Sequence, residues 1–143
     1  MSIELIHHIY ISAPAEKVYR AITTEEGIQS WWTTDVTMQD HVGGKAVFGF
    51  EGHTTTFEME IEQLHRPSLV RWRCKGGSSP EWIGTTQEFR LLEQKDGELL
   101  LQFVHAGWKP GSDYCYLCNT TWGHLLVMLK GYAERGEKKP YFN

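Results

Sequence analysis

The chain has 143 residues, a formal charge of −4 and a pI near 6.0, so it offers no bulk electrostatic attraction to nucleic acid or to an anionic membrane surface. Its apolar and charged fractions, 41% and 22%, are those of a globular chain. Its length suits one domain over residues 1–143, and no stretch approaches the ~20 apolar residues that span a bilayer.

The opening MSIELIHH carries acid and histidine where a signal peptide needs a basic start and an apolar run. A cytoplasmic location is therefore expected, with Cys74, Cys115 and Cys118 reduced. Ile3, Leu5, His7, Ile9 and Ile11 alternate with their neighbours and predict a first strand. Ser12 offers a cap, and PAEKVYRAIT predicts a helix with Val18, Ala21 and Ile22 on one face. Thr24 caps a second short helix, with Glu25 and Glu26 in its first turn and Ile28, Trp31 and Trp32 behind them.

Gly43-Gly44 marks a turn, after which Lys45 to Glu51 alternates Ala46, Phe48 and Phe50 with smaller residues. Thr55 to Glu62 sets Phe57, Met59 and Ile61 against Glu58, Glu60 and Glu62, the clearest strand with one buried face. Val70, Trp72 and Cys74 alternate with Arg71, Arg73 and Lys75, so the acidic and basic rows can pair across the sheet exterior. Gly76 to Pro80 reads as a loop, Ile83 to Glu93 as a strand, and Asp96-Gly97 as a hairpin turn. Leu99, Leu101, Phe103 and His105 share one face of the next strand, with Leu100 and Val104 opposite.

From Ser112 to Gly136 the period changes. Cys118, Trp122, Leu125, Leu129 and Tyr132 recur every three or four positions and predict a long amphipathic helix. Ser112 or Asp113 is the expected cap, and Gly136 the expected stop. Hairpin-length connections imply an antiparallel sheet that twists and curls, and the one long helix is expected to bury its stripe on the concave face. Trp122 is large for a tight helix–sheet contact, and a gap there would hold a ligand.

Six segments in order resemble the helix-grip superfamily that includes START lipid-transfer domains and the birch-pollen allergen. They are IYISAPAEKVYRAITT, IQSWW, DHVGGKAVFGF, LHRPSLVRWRC, TTQEFRLLEQKDGELLLQFVHAGW and TTWGHLLVMLKGYAERG. Within that superfamily the chain looks like the branch named after the activator of the heat-shock protein 90 ATPase, in the SRPBCC group. The resemblance implies an α+β fold, with a curved antiparallel sheet of six or seven strands on a long C-terminal helix. It further implies a cavity between helix and sheet for a small hydrophobic or amphipathic molecule, no shared catalytic residue and no cofactor. It also raises a homodimer. The chaperone regulator itself carries a further chaperone-binding domain ahead of this one, so the name of the branch is not read as an activity.

The inward residues Phe57, Met59, Trp72, Phe89, Phe103 and Trp122 converge on one volume, joined by Phe48 and Phe50 from the preceding strand and Leu126 from the helix. A ring-lined pocket with few polar anchors has that composition, and so does a filled core. Trp31, Trp32 and Trp108 fall in loops or short helices, where they form a pocket mouth or close the core edge. His105 is in phase with Phe103 and points the same way, and His7 is in phase on the first strand, so either is a candidate to orient a ligand or to act as acid–base in a cyclase or hydrolase, against a structural histidine with a satisfied hydrogen bond. A third reading is a protein-interaction regulator of a chaperone. The histidines are too scattered for a metal site. Cys115 and Cys118 form a C-x-x-C at a helix start, the spacing of a redox pair, but no strand of a βαβ unit precedes it, Cys118 continues the buried stripe and no second pair completes a zinc site, so small buried side chains are expected.

Overall fold

Alternation of apolar and polar side chains decides which face of each strand turns inward. The computed structural model, which describes residues 2–142, follows that rule along most of the sheet and departs from it at the register shifts near Gln63 of β4 and Gly107 of β7. Strand β1 (Ile3–Ile11) leads into helices α1 (Ala15–Thr23) and α2 (Glu25–Trp31). Six strands follow: β2 (Asp35–Met38), β3 (Lys45–Phe50), β4 (Thr55–His65), β5 (Leu69–Gly77), β6 (Thr86–Glu93) and β7 (Leu99–Trp108). The long helix α3 (Tyr114–Arg135) comes last. All seven strands pair antiparallel in one sheet, in the order β1-β7-β6-β5-β4-β3-β2. This is the α+β helix-grip architecture, with two short helices after the first strand.

The inner face carries the expected rows. Phe57, Met59 and Ile61 of β4 are buried, as are Val70, Trp72 and Cys74 of β5, and Ile61 stands opposite Trp72. The pairing shifts by a residue between Glu58 and Met59, with no loss of the inward phase on either side. On the outer face Glu62 accepts from Arg71 at 3.0 Å and from Arg73 at 2.5 Å. Asp96 and Gly97, with φ of 62° and 76°, turn β6 into β7, the left-handed pair a tight hairpin needs.

Thr24 caps α2 as expected, accepting the Gly27 N–H at 3.0 Å. Gly27 also lets α1 and α2 meet, because a Cβ there would stand 2.5 Å from the Ala21 carbonyl oxygen. Gly136 stops α3 in the left-handed region at φ 69°.

Three local expectations need adjustment, and one short strand had gone unread. Ser12 does not cap α1: Pro14 holds the cap position, and the Ser12 N–H reaches Glu134 at 2.7 Å instead. Asp113, one of the two candidates, holds the cap position of α3 without a side-chain cap bond, and the Ser112 hydroxyl donates to Glu81 instead. The strand expected from Ile83 starts at Thr86, because Pro80–Trp82 coils into a 3-10 turn. Strand β2 is short, with one buried residue, Val36, too few to show a period.

Candidate ligand-binding site

The space between α3 and the sheet is filled largely by aromatic rings. Trp122 hangs from the middle of α3 and meets Phe103 with ring centroids 4.2 Å apart and Trp32 at 5.1 Å. Trp32 in turn stacks on Phe48 at 4.5 Å. From Phe48 the contacts run through Trp72 (5.3 Å), Phe89 (5.1 Å) and Phe103 (4.9 Å) back to Trp122. Offset and tilted contacts of this kind add to burial. The large side chain that was expected to prop the layers apart therefore fills most of the gap itself.

At one end the rings do not close. A cavity of about 140 Å³ remains, open to solvent, between the first turns of α3 and the β3–β4 turn. Phe50 and Phe57 of the sheet, with Trp32 and Trp82 beside them, wall one side, and Leu117, Cys118, Thr121, Trp122 and Leu125 of α3 the other. Glu51, Thr55 and Tyr114 bring polar groups to its rim, and Phe142 closes one flank.

Trp82 is the wall that sequence reasoning missed. Its ring lies flat on Phe57, with centroids 3.7 Å apart and planes 9° apart, and its indole N–H donates to the Cys118 sulfur at 3.4 Å. The available signal was Pro80 followed at once by Glu81 and Trp82, a Pro-led turn ending in a ring within an otherwise small and polar loop. Phe142 also went unread. The chain before it is tied to the end of α2, with the N–H groups of Tyr141 and Phe142 donating to the carbonyls of Trp31 and Trp32 at 3.3 and 2.9 Å. Its ring then meets Phe50 edge-on at 4.8 Å.

Of the residues expected at a site, Trp32, Phe50, Phe57 and Trp122 border the cavity. Phe48, Met59, Trp72, Phe89 and Phe103 are buried on the inner sheet face and do not reach it. Leu126 is buried one position past Leu125, about 100° further round α3. Trp31 is wholly buried and braces α1, donating its indole N–H to the Ala21 carbonyl at 2.9 Å. Trp108 is buried against His105 with centroids 4.5 Å apart, and its indole nitrogen has no protein partner. Trp31 and Trp108 are thus closures of the core edge, and Trp32 alone of the three stands at the mouth.

His105 does not border the cavity. It is fully buried, its Nδ1 accepts from the Trp122 indole at 3.0 Å, and its Nε2 lies 2.8 Å from the Thr85 hydroxyl oxygen. With Nδ1 accepting, the neutral ring carries its proton on Nε2 and donates it to Thr85, whose own hydroxyl donates to the Trp82 carbonyl at 2.6 Å. Burial pushes the His105 pKa down to about 3, so the ring is uncharged at neutral pH. This is a bracing histidine with its polar atoms engaged.

The thiols read the same way. Cys118 points into the cavity, and burial pushes its pKa up to about 11, which keeps it protonated and unreactive. Cys115 is buried and donates to the Ser112 carbonyl at 3.0 Å. Among the described residues no three His, Cys, Asp or Glu side chains converge as a metal site, and no helix is long and apolar enough to cross a membrane.

The order of elements, the ring-filled grip and the residual cavity define a helix-grip protein. The family described as activator of Hsp90 ATPase homolog 1-like protein matches residues 12–134. The chain belongs to that family, the Aha1-like branch of the SRPBCC superfamily. It is similar to the Aha1 dimer from Colwellia psychrerythraea, solved in solution, with 32% identity, a TM-score of 0.83, and coverage of 94% of this chain and 98% of that one. Two further structures share the fold. Protein MLL2253 from Mesorhizobium loti is 18% identical with a TM-score of 0.79, covering 90% of this chain and 94% of its own. CalU16 from Micromonospora echinospora is 18% identical with a TM-score of 0.75, covering 94% and 78%. No curated protein matches the chain.

Proposed function

We propose that this chain binds a small apolar or amphipathic molecule at the end of its ring-filled core. The observation that carries the reading is the opening between Trp82 and Trp122, walled by aromatic faces and rimmed by Glu51, Thr55 and Tyr114. Ligand sites combine an apolar wall with a few polar anchors in this manner. A volume of about 140 Å³ limits the buried part to about one aromatic ring, the size of guest that a dry cavity of similar volume takes up. The polar end of such a molecule would lie at the rim, facing the hydroxyls and the Glu51 carboxylate. Enzymatic acid–base chemistry has less support, because no histidine borders the opening and Cys118 is held protonated.

Native mass spectrometry of the purified protein, followed by titration of tryptophan fluorescence with a panel of single-ring aromatic compounds, tests the reading. A bound mass, or saturable quenching that Thr121→Phe abolishes and Glu60→Ala preserves, is the expected result. A bare mass with no saturable response, or equal effects of the two substitutions, would overturn it.

A second reading concerns assembly. A relative 32% identical to this chain is described as a dimer, and several apolar side chains of this chain face solvent. We infer a homodimer, which sedimentation equilibrium tests directly: a single species of monomer mass at every concentration would rule it out.

A further inference from the structure

The outer face of the sheet is divided in two. Over β4 and β5 it is charged, with Glu58, Glu60 and Glu62 beside Arg71, Arg73 and Lys75. Over β1 and β7 the outward positions from Ile6 onward are Ile6, His8 and Tyr10 beside Leu100, Gln102 and Val104, with no Asp, Glu, Lys or Arg among them, while Glu4 of β1, Glu88 opposite Val104 and Arg90 opposite Gln102 border them. Register sets these side chains next to each other: Ile6 stands opposite Val104, Tyr10 opposite Leu100, and Leu100 opposite Leu92 of β6. Ile6 is 59% exposed, Tyr10 55% and Leu92 40%.

Single exposed apolar residues are ordinary. A row that register holds together across three strands is not, because an antiparallel sheet with one face on the core normally turns polar side chains to water on the other. The same sheet does so over β4 and β5, so this apolar cluster is a local departure. It also lies at the sheet edge, since β1 is the outermost strand. The end of that edge is already engaged: Lys130 bonds the Tyr10 carbonyl, and Glu134 takes the Ser12 N–H at 2.7 Å. A partner therefore meets the face of these strands rather than extending the sheet.

We propose that the outer face of β1, β7 and the end of β6 is the surface through which two copies of this chain associate, a placement that rests on the homodimer reading above. A two-fold axis brings the patch against itself, and its uncharged centre meets its own copy with no like-charge repulsion, while Glu4, Glu88 and Arg90 lie at its border. A strongly charged partner finds nothing complementary there. Ile6 and Tyr10 supply the buried centre, and Glu4 and Arg90 stand outside it as a polar rim. A competing surface exists on α3, where Tyr116, Leu117 and Val127 are exposed and residues 114–129 carry no charge. It serves as the control.

The test is sedimentation equilibrium on the full chain, on Ile6→Glu and on Val127→Glu, with thermal melts to show that each variant is folded. Ile6→Val, which keeps the patch apolar, guards against an effect of substitution alone. Because the axis places two copies of any new carboxylate in one interface, Ile6→Glu is expected to raise the dimer dissociation constant about 100-fold or more. Val127→Glu and Ile6→Val should leave it within a few-fold. A dimer that survives Ile6→Glu, or one that Val127→Glu dissociates instead, overturns the placement and leaves the homodimer reading standing. A monomeric parent chain overturns both.

Discussion

The indole N–H of Trp122 donates to Nδ1 of His105 across 3.0 Å in the centre of the core, the one polar contact between α3 and β7 that passes through the ring cluster. It fixes the tautomer of the histidine and the rotamer of the tryptophan together. Trp122 then stands with one edge at the cavity and the other on the buried polar group.

This pair should be energetically coupled. Trp122→Phe leaves Nδ1 without a donor, and an unsatisfied buried acceptor costs about 1–3 kcal/mol, before any loss of packing. His105→Phe removes the acceptor. A double-mutant cycle by urea unfolding is expected to return a coupling of about 1 kcal/mol or more. Additive losses would show that the bond contributes nothing beyond burial.

Acid should destabilise the fold through His105 before the carboxylates titrate. Its folded pKa is about 3, against 6.5 for a free histidine. Above 6.5 both states are neutral and stability is complete. Below 6.5 the unfolded chain takes up a proton that the folded one refuses, so stability falls by about 1.4 kcal/mol per pH unit until about pH 3. Unfolding free energies at pH 7.5, 6.0 and 5.0 measure the slope. In His105→Phe, compared at the same pH values, that component should be missing.

Trp82 is predicted to matter more than its position in a polar loop suggests. It is 3% exposed and stacked face to face on Phe57. Trp82→Ala should cost about 3–5 kcal/mol, the range for emptying a buried large ring. Trp82→Phe keeps the stack but drops the donor to Cys118, and should cost clearly less. Equal losses in chemical denaturation would mean that the contact with Cys118, not the stack, holds the turn.

By contrast, the Glu62 network on the outer face should be energetically minor. Glu62 joins Arg71 and Arg73, but all three side chains keep contact with water, being 24–34% exposed. Glu62→Gln is expected to change stability by about 1 kcal/mol at most, and by less still in 1 M salt. A loss above about 2 kcal/mol would show that the strands β4 and β5 depend on that pair.

Gly27→Ala should disrupt the α1–α2 corner. The added methyl would meet backbone rather than a movable side chain, at 2.5 Å from the Ala21 oxygen. A loss of about 1–3 kcal/mol is expected, the range for overpacking, read as a lowered melting temperature.

The strands with one charged face were legible because Glu58, Glu60 and Glu62 alternate with Phe57, Met59 and Ile61 without interruption, and α3 because its stripe keeps the helical period. Strand β2 was not, since its single buried residue shows no period. The site was only half legible. Spacing assigns Phe57, Trp72 and Phe103 to one face, but whether facing rings touch or leave room depends on their rotamers and offsets, which no periodicity encodes. Trp32 and Trp122 meet at 5.1 Å and close most of the expected space. Trp82 and Phe142 wall the remainder from segments whose composition reads as loop and tail.

The strap that carries Phe142 sets an order of assembly. Strands β2 to β7 can zip from hairpins whose partners are near neighbours in the chain, but β1 must find β7 across most of the sequence, and the cavity needs Trp32, Trp82, Trp122 and Phe142 in place at once. Contacts of such long sequence separation form late. The opening is therefore among the last features to appear as the chain folds and among the first to be lost when its flank frays. A guest that holds Phe142 against Phe50 would slow the first step of unfolding, so occupancy should be readable as resistance to proteolysis at the tail.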